Sequence, residues 1–271
     1  MMKRLTVLTL VFLVAFSVLA MAQEAVMPAW DYPLEPEVLA NKAGYITLVN
    51  RSHLLDSGYS PEDLAVINIR CVPSIKGDML RKTALNAMRK MFDAAEADGM
   101  ILYLKSVYRG YSTQKYMYNS RLEKLGRDDG VVAYPGSSDH QTGLGADILN
   151  LEWTKKDGMT PAFANTAEAK WMDEHCSEYG FIIRYMEDKA DITGIIYEPW
   201  HLRYVGLEAA RYIMENHLSL EEFDEEWHAY IADWESRGGD FKRLLRERAV
   251  PDPAEVLYTT DEGEEEVSLF R

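Results

Sequence analysis

Two short polar segments, far apart in the chain, constrain its fold more than any other feature of the sequence. The first segment begins at Ser138 and reads SDHQTGLGAD, so that a glycine-containing turn separates His140 from Asp147. The second segment ends at His201 and reads YEPWH. Nearly all of the chemically distinctive residues lie in these segments, so a fold in which they act together must bring both to one place.

The residue types of the two segments match the ligands of a catalytic zinc ion. Such an ion takes three protein ligands of nitrogen or oxygen type and leaves a fourth position for water. Two imidazoles and one carboxylate are available from His140, Asp147 and His201. Glu198 is then a spare acid, which Pro199 holds close to the metal, where it can take a proton from water and return it to a leaving amine.

Spacing alone leaves a simpler interpretation of each segment open. A histidine beside a carboxylate is more often a satisfied hydrogen-bonded pair than a pair of metal ligands. The chain has six histidines. The two candidates, His140 and His201, lie in the two polar segments, whereas the sequence pattern places the other four in a polar loop or on helices. We interpret these four as surface or packing residues: His53, His175, His217 and His228.

The charge balance argues against a polyanionic partner. The chain carries 29 Lys and Arg against 44 Asp and Glu, which gives a formal net charge of −15 at pH 7. Such a charge repels nucleic acid and anionic membrane surfaces. We therefore predict that the protein has no nucleic-acid partner.

Residues 1–22 have the pattern of a signal peptide. Lys3 and Arg4 precede an apolar run that ends at Met21, and small residues flank Met21 as a signal peptidase requires. The apolar run is short for a membrane span, which favours cleavage over a retained anchor. We predict a secreted protein of the periplasm or cell wall, a monomer with no stable membrane insertion after cleavage.

The chain contains two cysteines, Cys71 and Cys176. This number excludes a small domain that is built on a disulfide framework. The sequence leaves open whether the two thiols pair or lie free and buried, because the separation of their Cα atoms decides the matter.

Apolar periodicity and turn formers predict an α+β fold with a central, largely antiparallel sheet, flanking helices and the zinc site in a cleft on the sheet. Asp78 is the predicted N-cap of the first long helix, and Asn165 with Glu168 predicts a capping box. The predicted helices cover residues 78–99, 112–126, 165–180, 207–216, 220–234 and 240–248. The predicted strands cover residues 101–107, 146–149, 181–185, 192–197 and 202–205.

The same patterns predict how the chain is divided. Residues 23–75 are rich in turn formers, which indicates an extended N-terminal wrap, and we assign residues 23–220 to one zinc-binding domain. Residues 221–249 are predicted to form an additional helical extension. Residues 250–271 lack apolar periodicity and carry an acidic run, which predicts a disordered tail.

The two polar segments resemble the motifs of a known family. Ser-x-His-x-x-Gly-x-x-x-Asp, followed downstream by Glu-Pro-Trp-His, is similar to the VanY-type D-alanyl-D-alanine carboxypeptidases, zinc peptidases that share a fold with VanX dipeptidases and the hedgehog signalling domain. Residues 106–114, 179–185 and 201–206 also carry the resemblance, which extends over residues 48–220. Several separated motifs in the same order argue against a chance match.

The resemblance implies roles for individual residues. It implies that zinc is bound by His140, Asp147 and His201, and that Glu198 is the catalytic base. It also implies that the substrate site is lined by Arg109, Gln114, Ser138 and Tyr185. A guanidinium such as that of Arg109 suits a carboxypeptidase, because it can pair with a terminal carboxylate or with a developing oxyanion. Each of the four also has a simpler interpretation: Arg109 as part of a surface ion pair, Gln114 and Ser138 as caps of local backbone groups, and Tyr185 as a core aromatic.

The activity that the resemblance implies is a D,D-carboxypeptidase, which removes the terminal D-alanine from peptidoglycan stem peptides. One alternative is an L,D-carboxypeptidase that acts on tetrapeptide stems. Another is a zinc-containing module that binds the cell wall without turnover, since one fold can host several functions. Acyl-enzyme chemistry is not indicated, because the Ser-x-x-Lys signature is absent from any comparable context.

Overall fold

The computed structural model describes residues 26–156 and 159–249. The predictions of a signal peptide at residues 1–22 and of a disordered tail at residues 250–271 lie outside these ranges. Within them, no helix combines the length and the apolar character that a membrane span needs. The α-helices of the described residues are α1 (Pro36–Leu39), α2 (Lys82–Ala97), α3 (Tyr111–Leu125), α4 (Ala167–His175), α5 (Ala190–Thr193), α6 (Leu207–Glu215), α7 (Leu220–Ser236) and α8 (Phe241–Arg248).

A four-stranded antiparallel sheet forms the centre of the fold, as the sequence pattern predicted. Its strands are β3 (Leu102–Ser106), β4 (Gly145–Asn150), β5 (Phe181–Ile183) and β6 (His201–Tyr204), in the spatial order β3-β4-β6-β5. A separate antiparallel pair consists of β1 (Leu64–Val66) and β2 (Met79–Arg81). The loops before β4 and β6 therefore deliver their residues to adjacent strands.

The central strand β4 is buried along its whole length, and β3 and β6 pair with its two edges. Asp147 is the one ionisable residue of this strand. A buried carboxylate is costly unless positive charges or hydrogen-bond donors surround it. Its position in the middle of the sheet therefore marks the place where function is expected.

Two cores hold the described chain together. The first, which we call the sheet core, packs one face of α2 against the sheet and α4, and includes Met88, Leu104 and Phe181. The second, the terminal core, packs the N-terminal wrap against α6 and α7, and includes Leu39 and Phe223. The helices after residue 220 thus share a core with residues near the N-terminal end of the described chain.

Three local predictions were wrong. Residues 79–81 form β2 instead of starting a helix at Asp78, because they pair with β1, and α2 begins only at Lys82. The N-cap of α4 is Thr166, whose hydroxyl accepts from the backbone N–H of Ala169 at 3.1 Å. Residues 192–197 form no strand, because α5 ends at Gly194 with a φ of +70°, a conformation that favours glycine.

The two cysteines are free thiols in the described structure. Cys176 is fully buried within the sheet core, and Cys71 is partly buried beside it. The structure therefore supports two unpaired thiols and not a disulfide.

Candidate active site

The sheet brings the three candidate metal ligands together. Asp147 on β4 lies directly opposite His201 on β6, and on its other side it lies opposite Ser106 at the end of β3. His140 comes from the 3-10 turn Asp139–Thr142, which Gly143 ends just before β4. One potential ligand atom from each of the three residues lies within 4.8 Å of the others, and all three side chains are buried.

Two separations in this group, one to each oxygen of the Asp147 carboxylate, are close to those between the ligands of a tetrahedral metal ion. Nδ1 of His201 lies 2.9 Å from Oδ1 of Asp147, and Nε2 of His140 lies 3.4 Å from Oδ2 of the same carboxylate. Zinc bonds of about 2.0–2.2 Å in tetrahedral geometry place ligand atoms about 3.3 Å apart. Nδ1 of His140 donates to the carbonyl of Val107 at 2.6 Å, which leaves Nε2 as the free ligand atom.

The charge states of these side chains also suit metal binding. Burial, together with the positive charge of Arg109, lowers the pKa of His140 to about 4, so the imidazole is neutral and able to bind a metal near pH 7. Burial opposes the ionisation of Asp147, but His140 and His201 outweigh it and hold the pKa of this carboxyl below its usual value. The group therefore presents the neutral imidazole of His140 and the carboxylate of Asp147.

Glu198 lies on the wall of the same cavity, in the turn before β6. Its backbone carbonyl accepts from the N–H of His201 at 3.0 Å, which fixes this turn against the ligand. Burial raises the pKa of Glu198 well above its usual value, Asp147 raises it further, and Arg109 opposes the rise. A carboxyl group with a raised pKa next to a metal site is suited to accept and return a proton.

The predicted substrate residues occupy two different kinds of position. Arg109, Ser138 and Tyr185 line the cavity. Nη1 of Arg109 lies 3.8 Å from Oδ2 of Asp147, so the guanidinium stands beside the ligand group. Gln114 is completely buried behind Arg109: its Oε1 accepts from Nε of Arg109 at 3.2 Å, and its Nε2 donates to the carbonyl of Ala133 at 2.7 Å.

The cavity has a volume of about 380 Å³, which suits a short peptide segment. Its apolar lining residues include Met117, Val131, Val132, Met159, Pro161, Ile195 and Ile196. A more open groove of about 710 Å³ lies near His217, but its acidic residues are exposed. Among the described residues, only the group around Asp147 brings three metal-ligating side chains into this proximity.

Comparison with known proteins identifies the family. A family model described as VanY, D-alanyl-D-alanine carboxypeptidase, matches residues 77–207. The bifunctional D-Ala-D-Ala dipeptidase and D-Ala-D-Ala carboxypeptidase VanXYC of Enterococcus gallinarum is 32% identical over 194 residues, which cover 69% of this chain and 95% of that protein. The chain belongs to the VanY family. It is therefore a peptidase, as the resemblance implied.

Solved structures of VanY-type enzymes share the fold. The structure of the LdcB LD-carboxypeptidase matches with a TM-score of 0.61 and 42% identity, over 66% of this chain and 84% of that chain. A mutant of the D,D-pentapeptidase VanY from the VanB-type resistance cassette, in complex with Zn(II), matches with a TM-score of 0.54 and 32% identity, over 66% of this chain and 98% of that chain. The predicted α+β class is confirmed.

One buried residue next to this site was not predicted from the sequence. Asp139 directly precedes His140 and is completely buried. Its carboxylate accepts from Nε of Arg184 at 2.8 Å and also contacts Nη1 of Arg203. The only signal in the sequence is a pair of arginines inside two otherwise apolar strand segments, and nothing in the spacing links them to Asp139.

Proposed function

We propose that this chain is a zinc-dependent carboxypeptidase that releases the terminal D-alanine of peptidoglycan stem peptides. The observation that carries the proposal is the buried group of His140, Asp147 and His201, with Glu198 and Arg109 on the walls of one cavity. Two findings support it. VanXYC is named for action on D-Ala-D-Ala, and the VanY structure is in complex with Zn(II).

The chemistry divides between the ion and the surrounding residues. When bound, a zinc ion polarises the scissile carbonyl and lowers the pKa of water towards ~7. Glu198 takes a proton from the attacking water and returns it to the leaving amine of D-alanine. The raised pKa of Glu198 suits both steps, because the proton is held more strongly than by an ordinary carboxyl.

Arg109 stabilises negative charge in the proposed reaction. Its Nη1 lies near Asp147 and also donates to Oγ of Ser106 at 2.9 Å, so the guanidinium has a fixed position beside the ligand group. Charge develops on the carbonyl oxygen in the transition state, and a fixed cation there lowers the barrier. We propose that Gln114 acts through Arg109, because it holds Nε of this side chain and does not reach the cavity wall.

Ser138 and Tyr185 are proposed to contact the substrate. Both lie on the cavity wall, and the Tyr185 ring stands 5.1 Å from the ring of His201. Burial raises the pKa of Tyr185 well above its usual value, so the hydroxyl keeps its proton. A protonated hydroxyl can donate a hydrogen bond to a peptide carbonyl or carboxylate.

Two substrates remain candidates, and they differ in the residue before the terminal D-alanine. The description of the family model favours the D,D reaction on pentapeptide stems. The L,D reaction on tetrapeptide stems is favoured by the likeness to LdcB, which is higher than that to VanY in both identity and TM-score. Both reactions use the same proposed metal, base and arginine.

The proposal is tested by incubating purified protein with equal amounts of a pentapeptide stem and a tetrapeptide stem. Mass spectrometry identifies the products. Loss of alanine from the pentapeptide alone supports the D,D reaction, and loss from the tetrapeptide alone supports the L,D reaction. The Glu198→Gln variant serves as the control for contaminating peptidases. Zinc-loaded, folded protein that releases alanine from neither stem contradicts the proposal.

Membership of a family of cell-wall peptidases indicates action outside the cytoplasm. We propose that residues 1–22 direct this export and are removed. N-terminal sequencing of the protein from an expressing bacterial culture tests the proposal. A mature chain that begins at Gln23 supports it, and an exported chain that retains Met1 contradicts removal of the segment.

A further inference from the structure

The imidazole of His201 has one buried nitrogen without a partner. Nδ1 lies 2.9 Å from Asp147, whereas Nε2 is buried and has no hydrogen-bond partner among the described residues. A polar atom in this position costs free energy unless something satisfies it. If Nδ1 binds a metal ion, the ring proton resides on Nε2, and this nitrogen needs an acceptor.

The carboxylate of Asp139 is an acceptor close to this nitrogen. Its Oδ2 lies 4.0 Å from Nε2 of His201, and its side chain has no exposed surface. This distance is longer than a hydrogen bond, so the pair must approach by roughly 1 Å when the metal binds. Imidazole ligands of metals usually donate their second nitrogen to a carboxylate or a carbonyl.

Two buried arginines hold Asp139 in place. Arg184 donates to Oδ2 at 2.8 Å, and Arg203 contacts Oδ1. Arg203 also donates to the carbonyls of Tyr45 and Thr47, at 3.0 Å and 2.9 Å, which ties it to the N-terminal wrap. With a cation on each oxygen, Asp139 is kept as a carboxylate, the form that accepts hydrogen bonds.

Arg184 extends this network to helix α7. Its Nη1 and Nη2 donate to the two oxygens of Glu221, each at 2.7 Å, and Glu221 lies in the first turn of α7. Arg184 also lies over the ring of Tyr185, with its guanidinium carbon 4.9 Å from the ring centre. Glu221 falls outside residues 77–207, the range that matches the family model.

We propose that Asp139 is a positioning residue for the metal site, which accepts a hydrogen bond from Nε2 of His201, and that Glu221 on α7 supports it through Arg184. The C-terminal helical extension is then a working part of the site. The proposal rests on the proposed metal-binding role of His140, Asp147 and His201, but not on any choice of substrate.

This role is tested by measuring zinc affinity, by competition with a chelator, in the wild type and three variants. The Asp139→Asn variant should bind zinc at least about 10-fold more weakly, in the range known for residues that orient metal ligands. The Glu221→Gln variant should lose less, because it acts through Arg184. The control is Asp233→Asn, which removes a carboxylate from the exposed Asp233–Arg237 pair on the same helix and should leave the affinity unchanged.

Thermal unfolding of the metal-free proteins separates positioning from a structural role. A structural role lowers the metal-free melting temperature without changing the zinc affinity, and this result in a folded Asp139→Asn variant would overturn the proposal. If that variant fails to fold, Glu221→Gln decides the matter by the same criterion.

Nitrogen NMR of the histidine rings in the zinc-loaded wild-type protein gives a second readout. We expect His201 to carry its proton on Nε2, protected from exchange with water, and to exchange it faster in Glu221→Gln. A proton on Nδ1 of His201 would overturn the proposal. Wild-type protein that binds no zinc would contradict both this inference and the proposed function. An active zinc enzyme in which Asp139→Asn and Glu221→Gln leave the zinc affinity unchanged would contradict this inference alone.

Discussion

The sheet core and the terminal core use buried polar groups in different ways. In the sheet core, strand β4 carries Asp147 into a group of buried ionisable side chains, several of which have shifted pKa values. In the terminal core, buried groups are mainly aliphatic and aromatic. Here Nε1 of Trp234 donates to the carbonyls of Pro28 and Ala29, whereas the buried Nε1 of Trp227 has no hydrogen-bond partner among the described residues.

This difference separates function from stability. Substitutions at the ionisable group of the sheet core should change chemistry more than folding, because these side chains are held ready for a ligand at a cost to stability. Substitutions in the terminal core should change folding more than chemistry. The ion pair between Arg184 and Glu221 is one link between the two regions, and it makes this separation incomplete.

The largest effect is expected from Glu198→Gln. The amide cannot accept the proton from water, so turnover should fall by about 10³-fold or more, which is near the upper range for general acid–base groups. Steady-state hydrolysis of the preferred stem peptide measures the loss.

The same Glu198→Gln variant should retain its zinc, and its metal-free form should be at least as stable as the wild type at neutral pH. Burial disfavours the charged carboxylate, which the amide replaces. Glu187→Gln, at an exposed position, is the matched control. Comparable turnover in Glu198→Gln and the control would refute the assignment of the base.

Truncation of Trp234 tests the other region. Trp234 is fully buried, and its ring centre lies 5.5 Å from that of Trp30. Trp234→Ala should lower the free energy of unfolding by about 3–5 kcal/mol, because the large cavity cannot collapse completely. Urea denaturation measures this change.

For Trp234→Ala, kcat/KM should remain within about twofold of the wild-type value at a temperature where the variant is folded. Asp233→Asn on the same helix provides the surface control, with an expected change below about 0.5 kcal/mol. A large loss of turnover in folded Trp234→Ala would break the separation between the two cores.

Arg109→Lys should cost about 10²-fold in kcat/KM. Lysine keeps the positive charge but lacks the planar fork that contacts Ser106 and Gln114 and that, in the proposed reaction, also meets the reacting oxygen. The loss should appear mainly in kcat if Arg109 acts on the transition state. Arg211→Lys, at an exposed position on α6, is the control. A rise in KM with unchanged kcat would instead assign Arg109 to ground-state binding of the carboxylate.

The smallest expected effect is a pH dependence of the metal-free protein. His140 has a pKa of about 4 in the fold, against ~6.5 in an unfolded chain. The unfolded chain therefore binds a proton first as the pH falls, so the stabilising contribution is present above about pH 6.5 and is lost towards pH 4.

Between about pH 7 and pH 5, metal-free wild type should lose on the order of 1–2 kcal/mol more of its unfolding free energy than His140→Gln does. Urea denaturation at the two pH values, with the chelator present throughout, measures both proteins. Equal losses in wild type and variant would show that the imidazole is not held neutral by the fold.

The sequence was most informative where a residue's chemistry is carried by a local motif. His140, Asp147, His201 and Glu198 lie in two short segments, and antiparallel strands with those segments at their ends bring them together. The sheet itself followed from apolar runs, since β3, β5 and β6 lie within a residue or two of the predicted ranges.

The errors arose where tertiary contacts decide the outcome. Residues 79–81 could extend a helix by local preference, but pairing with β1 makes them a strand. Asp139 was missed because its partners, Arg184 and Arg203, lie 45 and 64 residues further along the chain. The ion pair of Arg184 with Glu221 likewise spans 37 residues, and the sequence alone gives no sign of it.

The most direct test of the account is the metal content of wild type and Asp147→Asn, measured on the samples used for the stem-peptide assay. Asparagine has nearly the same shape as aspartate but lacks the charge that binds the ion. We expect about one zinc ion per chain and release of D-alanine in the wild type, with both lost in the folded variant. Zinc at the same stoichiometry in Asp147→Asn, or undiminished release of D-alanine without zinc, would contradict the central claim.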